Sequence, residues 1–184
     1  LMDVRGINTP DAVREFLSDE ILFEDPFVIK DMDKAVDRIK LAVESGEKIC
    51  VYGDFDADGV TATAILIQYL ETVGADVMFY IPSRADEGYG LNIKAVEKLS
   101  AEGVKLLVTV DNGVSAVDEV NCANELGMDV VITDHHEVHD ILPDAVAVVD
   151  LHRKDCNSSF KELSGVGDVL KLIIAMEGEY ADID

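Results

Sequence analysis

The chain has 184 residues, 48% of them hydrophobic, with 38 acidic residues against 15 basic ones and a formal net charge of −23. That length and apolar content suit one substantial domain with a real core, and no apolar run approaches the roughly 20 residues of a membrane span. The acid excess argues against a self-sufficient grip on a polyanion, because backbone binding relies on Lys and Arg displacing counterions. A nucleic-acid substrate would need bound divalent metals, a basic domain elsewhere, or few phosphates.

Thr9 before Pro10 gives an N-cap followed by a preorganised first helical position. Met32, Ala35, Val36, Ile39, Ala42 and Val43 recur at helical spacing. Lys48 to Gly53 is an apolar strand, Thr61 to Val73 a helix closed by Gly74, and Val77 to Ile81 a second strand. Asn92 to Ala101 is a helix, Leu106 to Val110 a strand, and Ser115 to Asp118 a capping-box pattern that opens a helix ending at Gly127. Val130 to Thr133 and Ala145 to Val149 are short strands, and Gly165 to Met176 is the last helix. Cys50, Cys122 and Cys156 are odd in number and lack CxxC spacing, which predicts a reducing, cytoplasmic setting and no zinc knuckle.

Strands joined by helices predict an α/β fold with a mostly parallel sheet and helices on both faces. Ligands bind such sheets beyond the carboxyl ends of the strands. Four inferred strands end there in an acid: Asp54 with Asp56 and Asp58, then Asp111, Asp134 and Asp150. Carboxylates about 4 Å apart repel by roughly 4 kcal/mol at an effective dielectric of 20, so their concentration implies a cation. His135 and His136 add imidazoles at the same edge. An EF-hand loop beginning at Asp54 would place a Glu where Ile65 stands and would follow a helix, not a strand. A haloacid-dehalogenase-like phosphatase would use Asp56 and Asp58, but its pattern continues with Thr where this chain has Val60, and it leaves Asp134-His135-His136 without a role. Plainer readings stay open: Asp54 as a turn former, Asp111 as an Asx-turn residue, His135 and His136 on a surface loop, and His139 and His152 in exposed loops.

Asp54-Phe55-Asp56-Ala57-Asp58-Gly59, Asp111-Asn112-Gly113 and Asp134-His135-His136, in that order, resemble the motifs of the DHH family of phosphoesterases. Arg84-Ala85-Asp86-Glu87-Gly88-Tyr89-Gly90-Leu91 and Leu163-Ser164-Gly165-Val166-Gly167 resemble segments of its single-stranded-DNA exonuclease branch, as do Arg5-Gly6-Ile7-Asn8-Thr9 and Asp25-Pro26-Phe27. The resemblance implies a three-layer DHH sandwich over residues 47–184 behind a helical lead-in over residues 1–46. It also implies a 5′ to 3′ exonuclease of repair and recombination, with two Mn²⁺ or Mg²⁺ ions that activate water and neutralise charge on the reacting phosphate. Carboxylate and imidazole ligands without thiolate fit those metals.

Carried over, the family pattern implies Asp56, Asp58, Asp111 and His135 as metal ligands, with Asp111 bridging. His136 would face the scissile phosphate as acid or electrostatic stabiliser, Asp134 would orient its neighbours, and Asp54 would assist the catalytic centre or a second ion. Arg84, Gly88, Tyr89 and Asn112 would contact substrate, Arg84 through its planar fork. Single-stranded DNA is the implied partner, with a single-strand-binding protein or a helicase beside it and no membrane. Gly165-Val166-Gly167 at a helix start would offer amides to a phosphate or serve as a packing turn. Two positions depart from the family pattern: Asp150-Leu151-His152 stands in place of Asn-Pro, and Asp168 in place of a small or apolar residue. The family also takes a further Asp from a later motif, so an incomplete metal site with weak or absent activity is expected of these 184 residues alone. Two rival readings remain, a DHH phosphodiesterase of short oligoribonucleotides, cyclic dinucleotides or another small phosphate ester, and a metal-free replication scaffold.

Overall fold

The computed structural model describes residues 2–18, 24–83 and 88–178. After helix α1 (Pro10–Phe16) and α2 (Met32–Ser45), strands and helices alternate: β1 (Ile49–Gly53), α3 (Ala57–Thr72), β2 (Val77–Tyr80), α4 (Ile93–Ala101), β3 (Leu106–Val110), α5 (Val117–Glu125), β4 (Asp129–Asp134), β5 (Ala147–Asp150) and α6 (Gly165–Glu177). The five strands form one parallel sheet in the order β2-β1-β3-β4-β5. The order reverses between β1 and β3, and their carboxyl ends flank the crevice where doubly wound sheets bind ligands.

Every residue of β1 and of β3 is buried, which explains their continuous apolar sequence. Alternate side chains feed two cores. Ile49, Val51, Val108, Val131 and Val149 pack with α2, α3 and α6 on one face. Cys50, Tyr52, Leu107, Val130 and Ile132 pack with α4 and α5 on the other. The expected three layers are therefore present. Helix α2 lies against α6 and β5 and contributes Met32, Ala35, Val36 and Ile39 to the first core. Among the described residues no helix is long and apolar enough to cross a membrane.

Local differences from the sequence expectations have physical causes. Helix α3 begins at Ala57 and not Thr61, because Asp56 caps it by accepting from the amides of Asp58 and Gly59, each at 2.9 Å. The capping box expected at Ser115 does not form: Ala116 occupies the cap position and no side chain accepts there. Strand β5 starts at Ala147, two residues later than expected, and runs through Asp150, whose Cα pairs in register with Asp134. Thr9 caps α1 through a 3.2 Å hydrogen bond from the Ala12 amide, as its sequence predicts.

Candidate metal centre

Strand β1 delivers the first acids. Asp54 is buried directly after the strand, and the chain turns so tightly into α3 that a Cβ on Gly59 would lie 2.7 Å from the Asp54 Cβ. Only glycine permits that approach. Asp56, at the cap of α3, is exposed and keeps its second oxygen free of backbone duty. Asp58 points elsewhere: its Oδ2 accepts from the Gly165 amide at 2.7 Å and its Oδ1 from the Val166 amide at 2.8 Å. The amides considered above for a phosphate are therefore occupied by a carboxylate of the chain itself, seated at the positive end of α6.

Strand β3 delivers Asp111 in the left-handed region, at φ 61°, a conformation that costs a non-glycine residue free energy and persists where its surroundings enforce it. Its amide still donates to the Thr133 carbonyl at 3.0 Å, which anchors the turn to β4. Gly165 abuts it so closely that a Cβ there would lie 2.6 Å from the Asp111 Cβ. Burial, then the neighbouring Asp58, hold the Asp111 pKa well above the usual carboxylate range.

Strand β4 delivers the imidazoles. His135 Nε2 lies 2.9 Å from Asp111 Oδ1 and 3.7 Å from Asp58 Oδ2. His136 Nδ1 lies 2.7 Å from Asp134 Oδ1, and that same oxygen accepts from the amides of His135 at 2.8 Å and His136 at 3.2 Å. Asp134 Oδ2 accepts from the Val114 amide at 2.9 Å. Burial opposes ionisation of Asp134, but hydrogen bonds from His136 and Val114 outweigh it and lower its pKa. The same contact, first among several causes, raises His136 to about 9.

Among the described residues two groups of potential ligands result, Asp54 with Asp56 and Asp111, and Asp111 with His135 and His136. Within each group the ligand atoms lie within 4.8 Å of one another, and Asp111 belongs to both. The donor set of carboxylate oxygen and imidazole nitrogen, without thiolate, fits oxygen-preferring divalent ions. Asp58 stands outside both groups and buttresses them through its contacts to α6 and His135.

The remaining sequence candidates divide. Tyr89 is 58% exposed, its hydroxyl 3.3 Å from His136 Nε2, and its ring meets Phe55 edge-on at 6.4 Å. Gly88 adopts φ 83°, a turn conformation suited to glycine. Asn112, expected to contact substrate, is buried with its amide nitrogen directed to the carbonyls of Val110 at 2.9 Å and Tyr52 at 3.2 Å, so it ties β1 to β3 instead. Arg84 lies outside the described residues. His139 is exposed as expected, but His152 is half-buried, its Nδ1 3.8 Å from Asp150 Oδ1. Sequence reading assigned no role to Asp150 and Asp168, both of which the structure buries beside this cluster.

The model of the DHH family, N-terminal domain, matches residues 48–184. The single-stranded-DNA-specific exonuclease RecJ of Bacillus subtilis is 47% identical over 183 residues, covering 99% of this chain and 23% of that protein. RecJ of Escherichia coli is 40% identical over 146 residues, 79% of this chain and 25% of that protein. Among solved structures, exonuclease RecJ bound to manganese matches with a TM-score of 0.75 and 34% identity over 81% of this chain and 38% of that one. RecJ of Thermus thermophilus in complex with Mn²⁺ matches with a TM-score of 0.69 and 31% identity, over 81% of this chain and 21% of its own. The chain thus spans about a quarter of the length of these curated relatives. With its acids and imidazoles gathered at the β1/β3 crevice and the family pattern running from residue 48 to 184, the chain belongs to the DHH family.

Proposed function

We propose that this chain is the catalytic N-terminal part of a metal-dependent exonuclease that hydrolyses the phosphodiester bonds of single-stranded DNA from the 5′ end, in repair and recombination. The observation that carries this reading is Asp111, shared by two ligand groups at the carboxyl edge of the sheet. Asp54, Asp56 and Asp111 would hold one ion and Asp111, His135 and His136 a second, both Mn²⁺ or Mg²⁺, the ions bound in the matching structures of RecJ. Such a pair supplies an activated water at neutral pH and neutralises charge on the attacked phosphate.

The chain's own residues fix the geometry. Asp134 sets the orientation of His136 and favours its cationic form, so that in the metal-free protein the imidazole carries a proton toward the open side of the crevice. Tyr89 and Phe55 line that side with aromatic surface on which a nucleobase can stack. Asp58, locked on the amides of α6, holds that helix and its Gly165 against Asp111. With 38 acids against 15 bases, much of the grip on the DNA backbone would fall to the ions and to sequence that the longer relatives carry. A single-strand-binding protein or helicase partner, a cytoplasmic setting, and a lead-in over residues 1–46 before the catalytic domain belong to the same reading; the family match starting at residue 48 supports the last.

The test replaces the matching region of Bacillus subtilis RecJ with this chain. The chimera should digest 5′-phosphorylated single-stranded DNA with Mn²⁺, spare duplex DNA, and lose activity on Asp111→Ala. A well-folded chimera that hydrolyses short oligoribonucleotides or cyclic dinucleotides but not long single strands would overturn the substrate assignment.

A further inference from the structure

Tyr52, near the end of β1, is wholly buried, and its hydroxyl donates to the Gly90 carbonyl at 3.0 Å. The side-chain amide of Asn92 donates to the same hydroxyl oxygen at 3.2 Å, which directs the phenolic proton at Gly90. Asn92 is itself fixed as the cap of α4, its side-chain oxygen accepting from the Ala95 amide at 2.9 Å. The Tyr52 ring stacks on Tyr80 with centroids 5.3 Å apart and planes 16° from parallel. The Tyr52 carbonyl accepts from the Asn112 side-chain amide at 3.2 Å, which ties it to the turn that carries Asp111, and Asp54 stands two positions further along the chain.

The Gly90 contact holds the segment that presents Tyr89. Gly88 and Gly90, on either side of Tyr89, both lie in the left-handed region, at φ 83° and 76°. Among the described residues no backbone–backbone hydrogen bond involves Gly88, Tyr89, Gly90 or Leu91. Side chains hold the segment there instead: the Tyr52 hydroxyl on Gly90, Leu91 in the core beneath α4 and α5, and Tyr89 itself, with its hydroxyl 3.3 Å from His136 Nε2 and its ring edge-on to that imidazole at 6.1 Å. Building on the single-stranded-DNA reading of the crevice, we propose that Tyr52 is a positioning residue, whose hydroxyl fixes Gly90 and so sets Tyr89 against His136 on the side where a nucleobase would stack. Tyr52 touches no substrate, because it is buried one layer below. It joins the turns that carry Asp54 and Asp111 to the aromatic surface, so metal ligands and base-stacking surface share one anchor.

Tyr52→Phe removes the hydroxyl and keeps the ring, its stack on Tyr80 and its place in the core, so the test does not turn on folding. In the chimera with Bacillus subtilis RecJ, this variant should lower kcat/KM on 5′-phosphorylated single-stranded DNA roughly tenfold, since small misplacements of a positioning group are costly. In a Tyr89→Ala background the same substitution should change kcat/KM by less than about twofold, because the two residues act through one contact. In the metal-free chain, the nuclear Overhauser effect between the Tyr89 and His136 rings should weaken in Tyr52→Phe, a readout that needs neither metal nor activity. Equal losses of kcat/KM in both backgrounds, or an unchanged Overhauser effect, would overturn the proposal and leave Tyr52 a residue of the core alone. A wild-type chimera inactive on single-stranded DNA, with an Overhauser effect that still responds to Tyr52→Phe, would count against the substrate reading and support the positioning of Tyr89.

Discussion

The two rims of the parallel sheet carry acids in opposite circumstances. At the rim where strands begin, Arg38 of α2 reaches Glu47 and Asp129, each at 2.6 Å, and Lys48 Nζ donates to the Glu102 carbonyl at 3.1 Å, so charge there is matched by charge or dipole. At the rim where strands end, the partners of Asp58 and Asp134 are backbone amides and imidazoles, and none of the ion pairs among the described residues joins Asp58, Asp111, Asp134, Asp150 or Asp168 to a Lys or Arg. A fold that needed acids only for solubility would leave them exposed or pair them as the first rim does. Burying Asp111, Asp150 and Asp168 without a Lys or Arg among the described residues lowers stability in the metal-free chain and prepares a strong local field for cations.

The largest expected disturbance of the second rim comes from one methyl group. Gly165→Ala would place a Cβ 2.6 Å from the Asp111 Cβ, and the backbone of α6 cannot yield without also releasing Asp58 from its amides. Mn²⁺ affinity measured by calorimetry should fall by about 10²-fold, the scale seen when groups that orient metal ligands are removed. An affinity within twofold of the wild-type chain would show that α6 does not position the cluster.

How far the sequence revealed this rim follows from the range of its interactions. The strand ends are legible because β1, β3 and β4 are short apolar runs that stop at an acid, and the switch between β1 and β3 follows from the order in which such strands pack. The shared role of Asp111 is legible through the motif. The cradle of Asp58 is not, because it joins residues 107 and 108 positions apart in the chain, and no local pattern encodes which carboxylate a helix terminus will meet. Asp168 resembles any acid in the first turn of a helix, where it complements the dipole. Its burial depends on α6 lying across β3 and β4, a consequence of packing in which Val169 and Leu172 enter the core and carry their neighbour with them. Asn112 misled for the same reason: beside two motif residues it looks functional, but the bend at Asp111 turns it inward.

Asp168 also gives the contrast a pH dependence. Burial, then Asp150, raises its pKa to about 9, so in the metal-free protein its proton is held where the unfolded chain, near 3.8, has lost it. A pKa raised on folding favours the native state fully below the unfolded value, and that benefit disappears as pH rises through the folded value. Urea denaturation in the presence of chelator should therefore show stability falling between pH 4 and 9. Asp168→Asn should flatten that slope and raise stability at pH 8 above that of the wild-type chain, leaving the part due to Asp111 and Asp150, whose pKa values burial also raises. An unchanged slope would place the titrating group elsewhere.

A smaller effect separates the two imidazoles. Asp134→Asn replaces the anion that raises His136 to about 9, and the side-chain resonances of His136 in the metal-free chain should then titrate near its ordinary value of 6.5. Persistence of the high value would mean that Asp111 and Asp150, the weaker contributors, suffice to hold the proton.

The first rim supplies the control, and its effect should be the smallest. Arg38→Ala leaves Glu47 and Asp129 without their shared cation, but their side chains are 30% and 51% exposed, so water takes over much of the solvation. Loss of both contacts should cost about 1 kcal/mol in urea denaturation and shrink as salt is added, the behaviour of ion pairs at a surface. Mn²⁺ affinity should not change, because the sheet separates Arg38, which meets the start of β4 at Asp129, from the acids at its end. A drop in metal affinity in this variant would show that the rims are coupled through the sheet, and the unmatched charge at the second rim could no longer be treated as a local property of the strand ends.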